Sequence, residues 1–456
     1  MLCGSFVGGW MVPVRRLLGF SVLVSVPLVV AGCGEEPGSE TTPAPSPAWV
    51  SDSAGVEIVA NFAEGVWGPG ERGVEEVLRI GVVEGDELVQ LFQVADVAFG
   101  PDGFLLVANR GTATIRVFDG DGRFVRELGG RGQGPGEFLD VSRLFPAHDR
   151  IWVMDMRQLR VTALSYEGEP LETWTFIHDG VISLLHLTAE GWLGLAYRSD
   201  RPRPARAPPG TPHPTRIFLD RVGPPAEPDT GGSPEPVVEL PTRTVYAEPS
   251  GTSWAAPFFS PAPRTGVDEK GRIYVAAEMP YQVDVHSPEG DLVRRVRRET
   301  ALRPIGPGFA DELLAHATEY FRGPGFTGSR DDAQRQLARI RRDVEWQASL
   351  PMPSHLPPTG RLVVSPDGSF WIERIDEFEP ARIQYERMFP NAQREAASHR
   401  ETPWDLFDAA GHLLGTVRLP AGFDPHRADG LQVLGVERDE LGVEYVVLYR
   451  AVPEPA

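Results

Sequence analysis

One short hairpin turn recurs along this chain and constrains its fold more than any other feature. The turn separates short apolar runs at six places: Pro101-Asp102-Gly103, His148-Asp149-Arg150, Ala189-Glu190-Gly191, Glu269-Lys270-Gly271, Pro366-Asp367-Gly368 and Glu440-Leu441-Gly442. A second glycine-containing turn follows several of them, as in Asp119-Gly120-Asp121-Gly122. Glycine is favoured there because tight hairpins need positive φ. The chain is therefore built from a repeated unit of antiparallel strands.

The unit is clearest over residues 94–129, where apolar residues alternate in four short runs. Alternation with period two, interrupted by turn residues, predicts strands at about 94–100, 104–109, 114–119 and 123–129. The first copies of the turn recur every 40 to 50 residues or so, which is the length of a four-stranded propeller blade. Six copies predict an all-β fold, a six-bladed β-propeller over residues 49–452.

Blade one and the glycine-rich link after it, residues 129–138 (GGRGQGPGEF), resemble the NHL-repeat and TolB-like six-bladed propellers. Relatives of such propellers include gluconolactonase-like calcium hydrolases and lyases, which place carboxylates and an asparagine around the central channel. The resemblance implies metal-site candidates near the ends of second strands, with Ca²⁺ as the cofactor of this alternative: Asn109, Asp155, Glu278 and Glu373. No motif assigns a catalytic residue, and the sequence favours a protein that is not an enzyme.

The sixth repeat runs out after two predicted strands, at about 430–436 and 443–450. Two strand-like segments before blade one, 56–61 and 76–81, are expected to complete blade six and close the ring. If only one of them is used, the closure is three strands plus one. Closure removes exposed sheet edges.

Insertions stretch the later repeats. Those at 199–215, 376–402 and 301–358 are expected on one rim, and 223–236 on the opposite face. Helical spacing of Ala333, Leu337, Ile340 and Val344 after Ser329 and Asp331 predicts one helix within 301–358, and Phe309 to Phe321 predicts another. Loops clustered on one side of a rigid scaffold are the usual place for binding, here of a protein, peptide or glycan.

The N-terminal residues 1–32 indicate export. Arg15 and Arg16 precede an apolar run, as in a signal peptide. Val30-Ala31-Gly32-Cys33 resembles the lipobox of bacterial lipoproteins, which implies that Cys33 is lipidated and anchors the protein to a membrane. Residues 33–48 are predicted to be a disordered tether. Gly34 after the cysteine resembles lipoproteins of the outer membrane, facing the periplasm or the cell surface.

Charge and motifs limit the remaining functions. A net charge of −20 argues against nucleic-acid binding. No zinc motif or serine-hydrolase elbow occurs. We expect a monomeric, lipid-anchored propeller of the cell envelope that acts as a binding or scaffolding module. The alternative is a calcium-dependent lactonase, another hydrolase or a lyase with its site at the central channel.

Overall fold

The computed structural model describes residues 48–453, with the exception of 176–180, 189–190, 199–206, 223–233, 251–252, 261–262, 278, 324–325, 327, 390–399 and 440. The predicted signal peptide, Cys33 and all but the last residue of the tether lie outside the described residues. None of the helices in the described ranges has the length and apolar character needed to cross a membrane.

Four strands precede the first blade. They are β1 (Ala48–Ser53), β2 (Val56–Asn61), β3 (Glu71–Arg72) and β4 (Val74–Ile80). We call residues 48–80 the belt, because successive parts of it add to the outer edges of three consecutive blades.

Blades one to three follow in chain order. Blade one consists of β5 (Val94–Phe99), β6 (Leu105–Asn109), β7 (Thr114–Phe118) and β8 (Phe124–Gly129). Blade two consists of β9 (Val141–Pro146), β10 (Ile151–Asp155), β11 (Arg160–Leu164) and β12 (Pro170–Thr175). Blade three has β13 (Val181–Thr188), β14 (Gly191–Arg198), β15 (Pro212–Val222), β16 (Glu235–Ala247) and the short β17 (Trp254–Ala255). Each of these sheets is an antiparallel meander.

Blades four to six each pair with a part of the belt at their outer edge. Blade four consists of β18 (Arg264–Val267), β19 (Ile273–Ala277), β20 (Gln282–His286) and β21 (Leu292–Arg298). Blade five consists of β22 (Thr359–Val364), β23 (Phe370–Arg374), β24 (Thr402–Phe407) and β25 (Leu413–Leu419). Blade six has β26 (Phe423–Asp429), β27 (Gln432–Arg438) and β28 (Glu444–Ala451), and β4 supplies its fourth strand. The innermost strands form a closed ring: five neighbouring pairs pack against each other, and the sixth pair, β9 and β13, is joined by the hydrogen bond from Arg143 to the backbone carbonyl of Leu185.

The predicted closure is correct for one belt segment and wrong for the other. β4 pairs with β28, which gives the three-plus-one arrangement. Residues 56–61 instead form β2, which pairs in parallel with β21 of blade four. Blade six needs only one added strand because it has three of its own. The first of them, β26 (FDPHRAD), lacks an apolar alternation that would reveal it.

The two faces of the propeller differ. Turns between the first and second and between the third and fourth strands of a blade lie on what we call the hairpin face. The other connections lie on the link face. The first, second, fourth and fifth copies of the marker turn join first to second strands, as predicted, and Ala189 and Glu190 of the third copy lie outside the described residues. The sixth copy was misassigned, because Asp439 to Val443 joins the second strand of blade six to its third, on the link face.

Three helices form a cap on the link face: α1 (Phe309–Arg322), α2 (Arg330–Ala348) and α3 (Pro380–Met388). The first two confirm the predicted helices. Ser329 caps α2 in a capping box with Asp332 rather than Asp331. The cap has its own core, formed by the blade three to four link, both helices of 301–358 and α3: Phe258, Phe259, Phe309, Leu313, Leu314, Val344, Leu356, Ala381, Ile383 and Tyr385.

The main cores lie between adjacent blades. Leu106 and Ile115 of blade one pack with Leu144 and Val153 of blade two. Phe138, in the link between these blades, is fully buried beside them. The two middle strands of blade one, β6 and β7, are buried on both faces because each blade is stacked between two others. This burial fixes the position of the loops above them.

Candidate functional site

A cavity of about 530 Å³ opens on the link face between blades five and six and the insertion that carries α3. The first residues of three innermost strands reach it, namely Arg264 of β18, Arg361 of β22 and Asp424 of β26. Innermost strands surround the propeller axis, so this cavity lies beside the mouth of the central channel. We call it the arginine pocket.

Arginines dominate the charge of the pocket. Five of its lining residues are arginines, and three are carboxylates. The arginines are Arg264, Arg361, Arg387, Arg400 and Arg438. The carboxylates are Glu373, Glu386 and Asp424. The lining therefore carries an excess of positive charge, which favours an anionic ligand.

Arg264 is the arginine best placed to meet a ligand. Its side chain is exposed. Within the described parts of the chain, it has neither an ion pair nor a hydrogen bond. A free guanidinium offers a planar set of donors suited to a carboxylate or phosphate group.

Arg361 joins the walls of the pocket that belong to blades five and six. Its Nε lies 3.1 Å from Oε2 of Glu373, and its Nη1 forms an ion pair with Asp424. Burial would raise the pKa of Glu373, but the charge and hydrogen bonds of Arg361 more than offset it and lower that pKa. Glu373 is therefore ionised at neutral pH and is a poor candidate for a proton donor.

Arg400 and Glu386 form the wall beside α3. Arg400 binds Glu386 with two hydrogen bonds, at 3.1 and 3.0 Å, and its guanidinium lies 4.0 Å from the ring centre of Phe378. Glu386 also accepts from Nε of Arg382 at 2.9 Å. One buried carboxylate thus serves two arginines, and its charge cannot compensate both.

The structure describes three of the four metal-site candidates from the sequence, and each of them has hydrogen-bond partners of its own. Asn109 accepts a hydrogen bond from the backbone of Phe92 at 2.8 Å, and Asp155 accepts one from Leu139 at 2.7 Å. Both side chains fasten loops on the link face. Glu278 lies outside the described residues, and Glu373 is in the arginine pocket. The described residues contain no group of three His, Cys, Asp or Glu side chains that could hold a metal ion.

Sequence reasoning missed the arginine pocket and the helix that walls it. The pocket residues come from three blades and an insertion, and no local motif links them. The helix α3 did carry a signal, since Glu379 followed by Pro380 is a helix start, and the Glu379 carboxylate accepts from the backbone of Ala381 and Arg382.

A family model described as 6-bladed beta-propeller matches residues 86–197, which include blades one and two. The fold of the chain is thus an all-β six-bladed propeller by both its topology and this match. No curated protein matches the sequence.

Solved propeller structures align over most of the chain at low identity. A member of the DUF4221 family from Bacteroides vulgatus is 11% identical, with 85% of this chain and 100% of that chain covered and a TM-score of 0.45. Virginiamycin B lyase from Staphylococcus aureus is 7% identical, with 84% and 100% covered and a TM-score of 0.35. Similarity at this level carries no inference about activity.

Proposed function

We propose that this propeller is a binding module outside the cytoplasm, and that its arginine pocket takes an acidic segment of a peptide or protein partner. The observation that carries the proposal is the excess of arginine over carboxylate in a cavity of about 530 Å³, with Arg264 exposed and unpaired among the described residues. A lipid anchor at Cys33 in the cell envelope is part of the proposal and rests on the lipobox resemblance alone.

The lining favours a peptide over a glycan. Its apolar residues are Ile375, Ile383 and the buried Phe423. Aliphatic walls beside arginines suit alternating apolar and acidic side chains. Glycan sites more often offer an exposed aromatic face to the sugar ring, and the described lining has none. The described residues contain no cluster of metal ligands that would favour the calcium-dependent enzyme.

The test uses a fluorescein-labelled hexapeptide of alternating glutamate and leucine, with the glutamine peptide as its counterpart. We expect saturable binding by fluorescence polarisation, at least tenfold tighter for the glutamate peptide and weaker at high salt. Arg264→Gln should weaken binding at least fivefold. The matched control is Arg123→Gln, an exposed arginine in a turn on the hairpin face.

Two outcomes would overturn the peptide proposal. One is equal binding of the two peptides, or binding that Arg264→Gln does not change. The other is that an oligogalacturonate binds through Arg264 while the glutamate peptide does not, which would assign the pocket to an acidic glycan.

A further inference from the structure

A second group of polar side chains, two of them arginines, lies on the innermost strands around the propeller axis. Arg143 belongs to β9, His186 to β13, Thr265 to β18 and Arg427 to β26. Arg143 donates to the backbone carbonyl of Leu185, the residue before His186, and Arg427 donates to the backbone carbonyl of Leu144, the residue after Arg143. We call these four residues the axial cluster. It is distinct from the arginine pocket, because none of the four lines that cavity.

The nearest carboxylate, Asp96 of β5, is already saturated. Its Oδ2 accepts from Nη2 of Arg427 at 2.8 Å and from the backbone of Leu144 at 2.9 Å. Its Oδ1 accepts from the backbone of Val97 and lies 3.0 Å from Nδ1 of His426. The single negative charge of Asp96 therefore compensates Arg427, and little of that charge remains to compensate a second guanidinium.

Arg143 is that second guanidinium. It donates one hydrogen bond, to the backbone carbonyl of Leu185 at 3.3 Å, and has no ion pair with any residue in the described ranges. Burial lowers the pKa of Arg143, the negative charge of Asp96 offsets part of this effect, and the positive charge of Arg427 lowers the pKa further. A desolvated arginine is stabilised by an anion, and the carboxylate that acts on Arg143, Asp96, is already paired with Arg427.

His186 adds a polar neutral group to the same place. Its Nε2 lies 3.2 Å from Oγ1 of Thr265. Loss of solvation, together with the charges of Arg143 and Arg427, lowers the pKa of His186 to about 3. The imidazole is therefore neutral at physiological pH and retains one N–H to donate.

We propose that the axial cluster binds one small tetrahedral oxyanion, such as inorganic sulfate or phosphate, through Arg143, Arg427 and His186. The anion completes the charge balance on the axis. It also joins blades two, three and six through a common ligand. This site is independent of the peptide proposed for the arginine pocket.

The experiment is calorimetric titration of sodium sulfate into the purified protein at constant ionic strength, with phosphate titrated in parallel. We expect saturable binding with one site per chain, and the tighter of the two anions identifies the preferred ligand. Arg143→Gln should weaken binding at least tenfold. The matched control is Arg131→Gln, which likewise removes an arginine that donates to one backbone carbonyl, on the surface.

Arg264→Gln distinguishes the two sites. If it abolishes sulfate binding while Arg143→Gln does not, the anion occupies the arginine pocket and the axial assignment is wrong. A second measurement uses the unsubstituted protein, so its result does not depend on whether the variant folds. Sulfate should raise the pKa of His186 in an NMR titration, because an adjacent anion favours the charged imidazole. An unchanged titration would overturn the proposal.

Discussion

Arg427 on the innermost strand of blade six holds the buried carboxylate of Asp96 on the innermost strand of blade one, with Nη2 2.8 Å from Oδ2. The same oxygen accepts from the backbone of Leu144 in blade two. One carboxylate thus ties together three blades at the axis, including the pair where the ring closes.

Replacing this carboxylate should destabilise the ring. We expect Asp96→Asn to lower the free energy of unfolding by about 3 kcal/mol, because it removes a buried charge and leaves the partly exposed guanidinium of Arg427 without its anion. Urea denaturation measures the loss. The control Asp102→Asn makes the same change at an exposed turn residue of blade one, at φ 55°, where asparagine is tolerated. Equal stability of the two variants would contradict the role of Asp96.

The same pair predicts a dependence of stability on pH. Burial alone would raise the pKa of Asp96, but Arg427 and His426 outweigh it and hold that pKa well below its usual value. The stabilisation is therefore present above the unfolded-state pKa of about 3.9 and is lost as pH falls below it. The free energy of unfolding, measured by urea denaturation at pH values from 5 to 2, should fall more steeply with decreasing pH for the unsubstituted protein than for Asp96→Asn.

His186 acts over a higher range of pH. Its folded pKa of about 3 lies below the unfolded value of about 6.5, so the unfolded state binds the proton first. Stability should fall as pH falls from about 6.5 towards 3, by up to about 1.4 kcal/mol per pH unit. His186→Gln should remove this component, as measured by urea denaturation at several pH values without added oxyanion. If the free energy of unfolding of the variant depends on pH as steeply as that of the unsubstituted protein, His186 does not have a low pKa in the folded state.

Substitutions in the belt should destabilise the protein at the point where the belt crosses blade five. A Cβ on Gly65 would lie 2.5 Å from the backbone oxygen of Leu414, whereas one on Gly73 would meet nothing within 4 Å. We expect Gly65→Ala to destabilise the protein by about 1–3 kcal/mol and Gly73→Ala to have almost no effect. Thermal unfolding compares the two. Similar melting temperatures would show that the belt can move away without cost.

The cap should support the arginine pocket indirectly. Leu313 of α1 is fully buried in the core that also holds Ile383 of α3. Leu313→Ala should cost about 2–5 kcal/mol of local stability and speed hydrogen exchange in residues 380–388. Leu302→Ala, at a partly exposed site, is the control. Unchanged exchange in α3 would mean that the two helices are not coupled.

The fold was predictable where the strands repeat a local sequence pattern. It was less predictable where contacts with other blades determine which strands form and pair. Residues 94–129 alternate regularly and end in glycine turns, and all four of their strands were correct. β26 has charged or polar residues at four of its seven positions, since it faces the polar axis, and it was missed. The belt segment 56–61 was recognised as a strand. The sequence of this segment does not specify that it pairs with β21, because any unpaired outer edge of a blade could accept a strand.

The candidate site was harder to predict. The insertions indicated the correct face, and their periodicity gave α1 and α2. The pocket arginines extend from Arg264 to Arg438 and converge only after blades four, five and six are assembled. The charge of the axial cluster was equally hidden, since its residues are single arginines and a histidine on separate strands.

The pairing of β4 with β28 also determines when this protein can finish folding. Arg450 contacts Glu75, which lies 375 positions earlier in the chain. The belt is synthesised first, but its partners in blades four to six emerge last, and loops of this length close slowly. The ring is therefore completed only after translation of the last strand. Until then the face of blade one that packs against blade six is exposed, and a chain that stops before β28 cannot cover it.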